Sequence, residues 1–303
     1  MEPRTSGSLR RTGRGPGALE SAAILNRRAA LLGLTSAAFA APALAAPPPL
    51  RLSGVYRQGG FAFGRTTPRA DLWLDDEAVG RAGPGGLFVL GFDRDAAATS
   101  TLRVSGAGGS VSHVFDLAPG DFDIQRISGL PQDQVSPSDP ALLARLKQQN
   151  ALKQAALASR IDTEDFRTGF VMPLPAKSWR RTGRFGGQRV LNGEAKRPHY
   201  GTDLAAPKGT SILSPAGGVV SMAASGMHFE GGLVMIDHGQ GLVSIYLHQS
   251  KIVCQAGQRV ERGQKIGEVG ATGRATGPHL CWRMTWRGRH MDPMLLVGQT
   301  APA

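Results

Sequence analysis

The stretch GGLVMIDHGQGLVSIYLHQS (231–250) leaves this chain few options. An apolar run at 233–236 meets the turn-forming residues Asp237–Gly241, and a second apolar run returns. Two such runs around a glycine-bearing turn predict an antiparallel hairpin. Strand side chains alternate, so Leu242, Ser244, Tyr246 and His248 should share one face, with Val243, Ile245 and Leu247 on the other. His248 then sits at a strand end. Forty-one glycines and twenty prolines extend the same pattern along the chain, favouring many short strands over long helices.

A length of 303 residues leaves room for about two domains. From Leu50 to Leu130 the chain breaks into strand-like pieces: ADLWLDDEAVG around a turn, GLFVLGFDRD, and STLRVSGAGGSVSHVFDLAPG as a hairpin with a glycine-rich tip. The expectation is a small β-sandwich-like domain at 50–130. Within it His113, Asp121 and Asp123 lack partners at useful spacing and read as surface or turn residues. SPSDPALLARLKQQNALKQAALASRID (136–162) changes character. Asp139 before Pro140 is a cap followed by a first-turn proline, and the leucines form a thin stripe, so a linker helix is expected. A second glycine-rich region, expected as an antiparallel β domain, occupies 169–303. The fold class is therefore mainly β.

The N-terminus carries a different message. NRRAALLGLTSAAFAAPALA pairs Arg27-Arg28 with a short apolar run and ends on the small-x-small pattern Ala43-Leu44-Ala45. Such a segment reads as an export signal at 1–45, with the arginine pair resembling the twin-arginine type. The run falls short of the ~20 residues needed to span a bilayer, so no stable membrane span is expected. The protein is expected in the periplasm or otherwise exported. The net charge is +12, of which six arginines and two glutamates in 1–45 contribute +4. The rest suits an anionic polymer. Dispersed basic residues and export argue against nucleic acid.

Three polar points in the C-terminal region belong together. RPHYGTDLAAPKGT sets His199 and Asp203 four apart in a stretch whose Pro198 and Gly201 oppose a helix. His248 ends the hairpin, and TGPHLCWRM puts His279 and Cys281 on one strand face. Zinc takes His, Asp and Cys ligands, and a catalytic site keeps three with an open position for water. His199, Asp203 and one of the 279/281 pair make such a set and leave two imidazoles for proton transfer. His228, His238 and His290 fit no such pattern and read as solvent-facing or structural.

Taken in order and spacing, FVMPLP, RPHYGTDLAAPKGTSILSPAGGVV, GGLVMIDHGQGLVSIYLHQSKI and GQRVERGQKIGEVGATGRATGPHLCWRM resemble the M23 family of zinc peptidases, of lysostaphin and LytM type. The resemblance covers about 169–297. It implies an antiparallel β domain with an open groove, a Zn2+ cofactor, and endopeptidase action on the stems or cross-links of bacterial peptidoglycan. His199 and Asp203 match the family's His-x-x-x-Asp ligands. His248 and His279 match its catalytic histidines, with His279 as general base and His248 stabilising the oxyanion. Cys281 stands where the family has its third ligand, a histidine.

That substitution allows three readings. Cys281 is a zinc ligand, since thiolate sulfur binds zinc at ~2.3 Å against ~2.0–2.1 Å for imidazole, offsetting the shorter side chain. Alternatively, the domain is inactive and binds cell wall, or activates another wall hydrolase such as an amidase, or serves a division protein. In the third reading Cys254 and Cys281, the only two cysteines, form a disulfide. GQRVERGQKIGEVG also resembles the hairpin of biotinyl carrier domains, but Lys265 lies within a strand rather than at the tight turn such domains modify.

Overall fold

In the computed structural model the hairpin forms as its sequence predicts. Strands Gly231–Asp237 and Leu242–Gln249 pair antiparallel, with Ile236 opposite Ser244. Both are buried along their whole length, so both faces carry apolar residues. They lie inside a sheet that runs, edge to edge, Arg259–Val260, Gly218–Met227, Gly231–Asp237, Leu242–Gln249, His279–Trp286, Thr202–Ala205 and Arg180–Gly183. Arg289–Met291 pairs off His279–Trp286. The structure describes residues 47–303; the expected export signal at 1–45, with Arg27-Arg28 and the cleavage point after Ala45, lies outside the described residues.

The sheet separates two apolar clusters. Tyr246, Leu280, Trp282, Met284 and Trp286 face the larger one. Val243, Ile245, Leu247 and Cys281 face a smaller one with Met222, Leu233 and Met235. Alternation along His279–Trp286 thus sends Leu280, Trp282 and Met284 into the main core and leaves His279, Cys281 and Arg283 for the opposite face. The domain is organised around that face.

Residues 51–116 build two smaller antiparallel sheets. Arg51–Val55, Phe61–Arg65 and Leu87–Gly91 form one, and Glu77–Arg81, Asp71–Leu74, Thr99–Gly106 and Gly109–Asp116 the other. Asp75 and Asp76 join two of these strands with φ of 51° and 65°, the left-handed pair that tight hairpin turns require. Phe61, Phe63, Phe88, Phe92 and Phe115 fill the space between and belong to the same cluster as Trp282 and Trp286. Residues 47–303 lie within one compact unit. Mainly β architecture is what the glycine-punctuated sequence implies.

The helix forms at Pro140–Leu157, capped by the Asp139 carboxylate, which accepts from the Leu142 amide at 2.7 Å. Ala156 and Leu157 pack on the smaller apolar cluster, but the rest of the stripe does not hold the helix, since Leu143 and Leu152 are exposed. Polar contacts do: Lys153 pairs with Glu230 at 2.6 Å, and Arg145 donates to the Gly226 carbonyl at 2.6 Å. No helix among the described residues is long and apolar enough to cross a membrane. Ile124–Ile127, near the end of the 50–130 stretch, pairs parallel with Gln188–Leu191. That pairing carries the chain across the C-terminal β region before the helix begins.

Gly91 shows how closely the parts meet. A Cβ there would lie 2.5 Å from Met291 Sδ and 3.0 Å from Trp286 Cβ. Gly91→Val should therefore destabilise the protein by about 1–3 kcal/mol through overpacking, read as a lower midpoint in urea unfolding.

Candidate metal centre

The site is a row across three strands. Asp203 is the register partner of Cys281, and Cys281 is the partner of Leu247. His199 stands four residues before Asp203, where the chain enters the strand Thr202–Ala205. Gly201 lies between them. A Cβ at Gly201 would sit 2.6 Å from Arg283 Cγ and 3.1 Å from Cys281 Sγ, so the motif needs a residue without a side chain there.

His199 Nε2 lies 3.3 Å from Cys281 Sγ and 3.1 Å from Asp203 Oδ1. One ligand atom from each of the three lies within 4.8 Å of the others, a group that could hold a metal ion. Asp203 Oδ1 is buried and has no hydrogen-bond partner despite the nearby imidazole. Close approach without an aligned hydrogen bond suits two atoms aimed at a common third point. A nitrogen, a carboxylate oxygen and a sulfur together fit zinc.

His248 and His279 face each other beside this group, ring centroids 4.6 Å apart and tilted by 45°. His248 Nδ1 donates to the Thr272 carbonyl at 2.8 Å, and His279 Nδ1 to the Gly277 carbonyl at 2.8 Å. A carbonyl only accepts, so each Nδ1 carries the proton and each Nε2 offers a lone pair. His279 Nε2 is 3.8 Å from Asp203 Oδ1.

The profile of peptidase family M23 matches residues 197–293, which contain all five of these side chains. This part of the chain is an M23 peptidase domain. The peptidoglycan DD-endopeptidase ShyA of Vibrio cholerae is 44% identical over 124 residues, covering 40% of this chain and 28% of that protein. The DD-carboxypeptidase/endopeptidase Mpg of Neisseria meningitidis is 40% identical over 98 residues, 32% of this chain and 22% of that one. This chain thus spans about a quarter of the length of these curated relatives. A crystal structure assigned to peptidase M23 from Pseudomonas aeruginosa superimposes with a TM-score of 0.61 at 28% identity, covering 80% of this chain and 95% of that one.

One expectation about the M23 site needs correction. Strict alternation would put His248 with Leu242, Ser244 and Tyr246, yet that set faces the main core. His248 has φ of +65°, the ladder is irregular beside it, and the imidazole turns to the face of Leu247 and Cys281. A left-handed residue flips the alternation by one. Period-two reasoning cannot see this, because it assumes every residue is extended.

Charges around His199, Asp203 and Cys281 are balanced by residues that motif reading passed over. Arg189 donates to Asp203 Oδ2 at 3.2 Å, and Arg283 Nε to Cys281 Sγ at 3.5 Å. Burial alone would raise the Asp203 carboxyl, but His199 and Arg189 hold it well below the carboxylate range. Burial would lower His199, but the negative charges of Cys281 and Asp203 push its pKa up. His248 is pushed down to about 4 by burial, and His279 is lowered for the same reason. Arg283 was legible, since it shares the face of His279 and Cys281 at i+2. Arg189 comes from a separate hairpin and had no local signal.

The remaining histidines and Cys254 lie apart from the ligand group. His238 is fully buried, bridging the Gly217 carbonyl and Ser244 Oγ at 2.6 and 2.7 Å, a structural role. His290 stacks on Tyr200 with centroids 3.8 Å apart, and His228 contacts the Asp133 carbonyl. Cys254 and Cys281 are both free thiols, with Cys254 against the Ile266 carbonyl. The disulfide reading finds no support.

The left-handed His248 makes a prediction about stability. His248→Val places a β-branched residue at positive φ and removes the bond to Thr272, so it should cost about 2 kcal/mol or more. His248→Gly loses the same bond but relieves the strain, so it should be less destabilising than His248→Val. Chemical denaturation of the two variants checks the difference.

Proposed function

We propose that this protein is an exported, zinc-dependent peptidase that cleaves peptide stems or cross-links of bacterial peptidoglycan. The observation that carries the reading is the convergence of His199, Asp203 and Cys281 beside two imidazoles with free Nε2 atoms. The named activities of the V. cholerae and N. meningitidis relatives support the substrate class. The 50–130 β region and the helix within 136–162 are read as parts that hold and frame the M23 domain.

His199, Asp203 and Cys281 would hold the zinc, which when bound supplies Lewis acidity toward a water and the scissile carbonyl. Cys281 adds a negative charge to a site that already has Asp203, and Arg283 beside the sulfur draws part of it back. His279 acts as general base, its Nε2 turned toward Asp203 and free to accept the water's proton. His248, neutral above about pH 4, enters as a second acceptor that orients the water. With no proton on Nε2 it is not the resting donor to an oxyanion. Protonated His279 then returns its proton to the leaving amine.

Sacculi treated with the zinc-loaded protein and then solubilised with a muramidase should give shortened or uncrosslinked muropeptides. Chelation should abolish this, and His248→Ala should slow it by about 10²–10⁴-fold while zinc is retained. Unchanged muropeptides, together with stimulation of an added wall amidase, would replace the peptidase reading with the activator one.

A further inference from the structure

An open groove of about 590 Å³ lies beside the row of ligands and contains none of them. Lys177, Trp179, Arg180, Ala205, Pro207 and Pro278 are in its lining. Strand pairing ties it to the ligand face. Arg180 is the register partner of Ala205, and Ala205 is the partner of His279. Residues directly opposite in an antiparallel pair project to one face, so Arg180 and Ala205 stand in a row with His279. Arg181, one residue on, lines a different cavity with Asp121 and Asp292, as alternation requires. Ala205 contributes only a methyl group, which leaves the floor between the imidazole and the guanidinium low.

Distance along that row sets a scale. Neighbouring strands are ~4.8 Å apart, so two spacings put the Arg180 backbone about 10 Å from that of His279. An extended chain covers this in about three residues at ~3.3 Å each. Arg180–Gly183 is the last strand of its sheet, so no further strand lies beyond it.

The charge of the groove is unbalanced. Lys177 and Arg180 are both exposed, and no aspartate or glutamate lines the groove. Nearby arginines are engaged within the protein, Arg184 on Asp121 at 2.9 Å and Arg189 on Asp203 at 3.2 Å. Arg180 and Lys177 have no ion-pair partner among the described residues. Lys177 has φ of +63°, in a turn where the Ser178 amide donates to the Pro175 carbonyl at 3.2 Å. Glycine fills such a position without steric cost, so the ammonium is held there against a backbone preference. Two unpaired cations over Trp179, Pro207 and Pro278 suit a carboxylate carried on a largely apolar chain.

We propose that this groove is a specificity subsite. It takes the arm of the substrate that leaves the cleaved bond past Ala205, and Arg180 with Lys177 binds a free carboxylate about three residues from that bond. The inference rests on the peptidase reading and adds what the enzyme selects. The carboxylate stands outside the peptide backbone, on a dicarboxylic residue within the stem, because the backbone carboxyls are consumed in amide bonds. Stems in which that group is amidated lose the charge that the two cations match.

Synthetic stem peptides test this, each with one side carboxylate at a set distance from the cleaved bond and each paired with its amidated form. On the zinc-loaded wild type, the free form at about three residues should have kcat/KM about tenfold or more above its amidated form, the ratio expected for a hydrogen bond to a charged group. Added salt should shrink the ratio, because both cations are exposed. Arg180→Gln should bring it close to one, and Lys177→Gly, which keeps the turn, should reduce it in part. Calorimetric titration of the zinc-free protein gives a readout that needs no cleavage: the free form should bind more tightly than the amidated one in wild type and not in Arg180→Gln. Equal kcat/KM for free and amidated peptides at every distance, or a preference that survives Arg180→Gln combined with Lys177→Gly, would overturn the subsite. If nothing is cleaved but the binding preference and its loss in Arg180→Gln are seen, the groove keeps its role and the peptidase reading fails alone. No cleavage and no binding preference would sink both.

Discussion

The pairing of Thr202–Ala205 with His279–Trp286 is the constraint on which the site depends. It sets Asp203 opposite Cys281, and the next pairing sets Cys281 opposite Leu247. A slip of one residue would send Cys281 into the main core and Trp282 to the ligand face. The register is held by that core: Leu204, Tyr246, Leu280, Trp282 and Met284 are all fully buried on the opposite side. The geometry of the His199, Asp203 and Cys281 group is thus fixed by hydrophobic packing through the sheet, and the polar face inherits its precision from the apolar one.

His248 is the exception that completes the row. Regular backbone would bury its imidazole beside Tyr246. A single left-handed residue turns it toward His279, and bonds from its amide to the Glu230 carbonyl and from Nδ1 to Thr272 hold it there, at 2.8 Å each. Local strain of this kind persists only where the surroundings over-determine it.

Much of this was legible in the sequence because it is local. The turn at Asp237–Gly241, the cap at Asp139, and the spacing of His199 with Asp203 and of His279 with Cys281 each depend on a few neighbouring residues. The parts that were not legible depend on distance or on irregularity. Nothing near Ile124 announces a parallel partner some sixty residues later, at Gln188. Arg189 reaches Asp203 only because that pairing and its hairpin are in place. The left-handed His248 contradicts the periodicity that located it. The leucine stripe of the helix predicts a linker helix, but nothing local marks Lys153 and Arg145 as the residues that tie it down by charge and hydrogen bonding.

On the proposed reading, the chemistry turns on Cys281. Its sulfur lies 3.3 Å from His199 Nε2 and accepts from Arg283, so it makes two polar contacts although it is among the most buried side chains of the smaller apolar cluster. A buried thiol with such company fits a ligand better than core filling. The most direct measurement is zinc content after purification under reducing conditions with metal supplied, comparing wild type, Cys281→Ser and Cys281→His. The account predicts one zinc per chain in wild type, loss of most of it in Cys281→Ser because a neutral hydroxyl is a far poorer ligand, and retention in Cys281→His. Wild type without zinc, or Cys281→Ser binding it as tightly as wild type, would contradict a His199/Asp203/Cys281 centre.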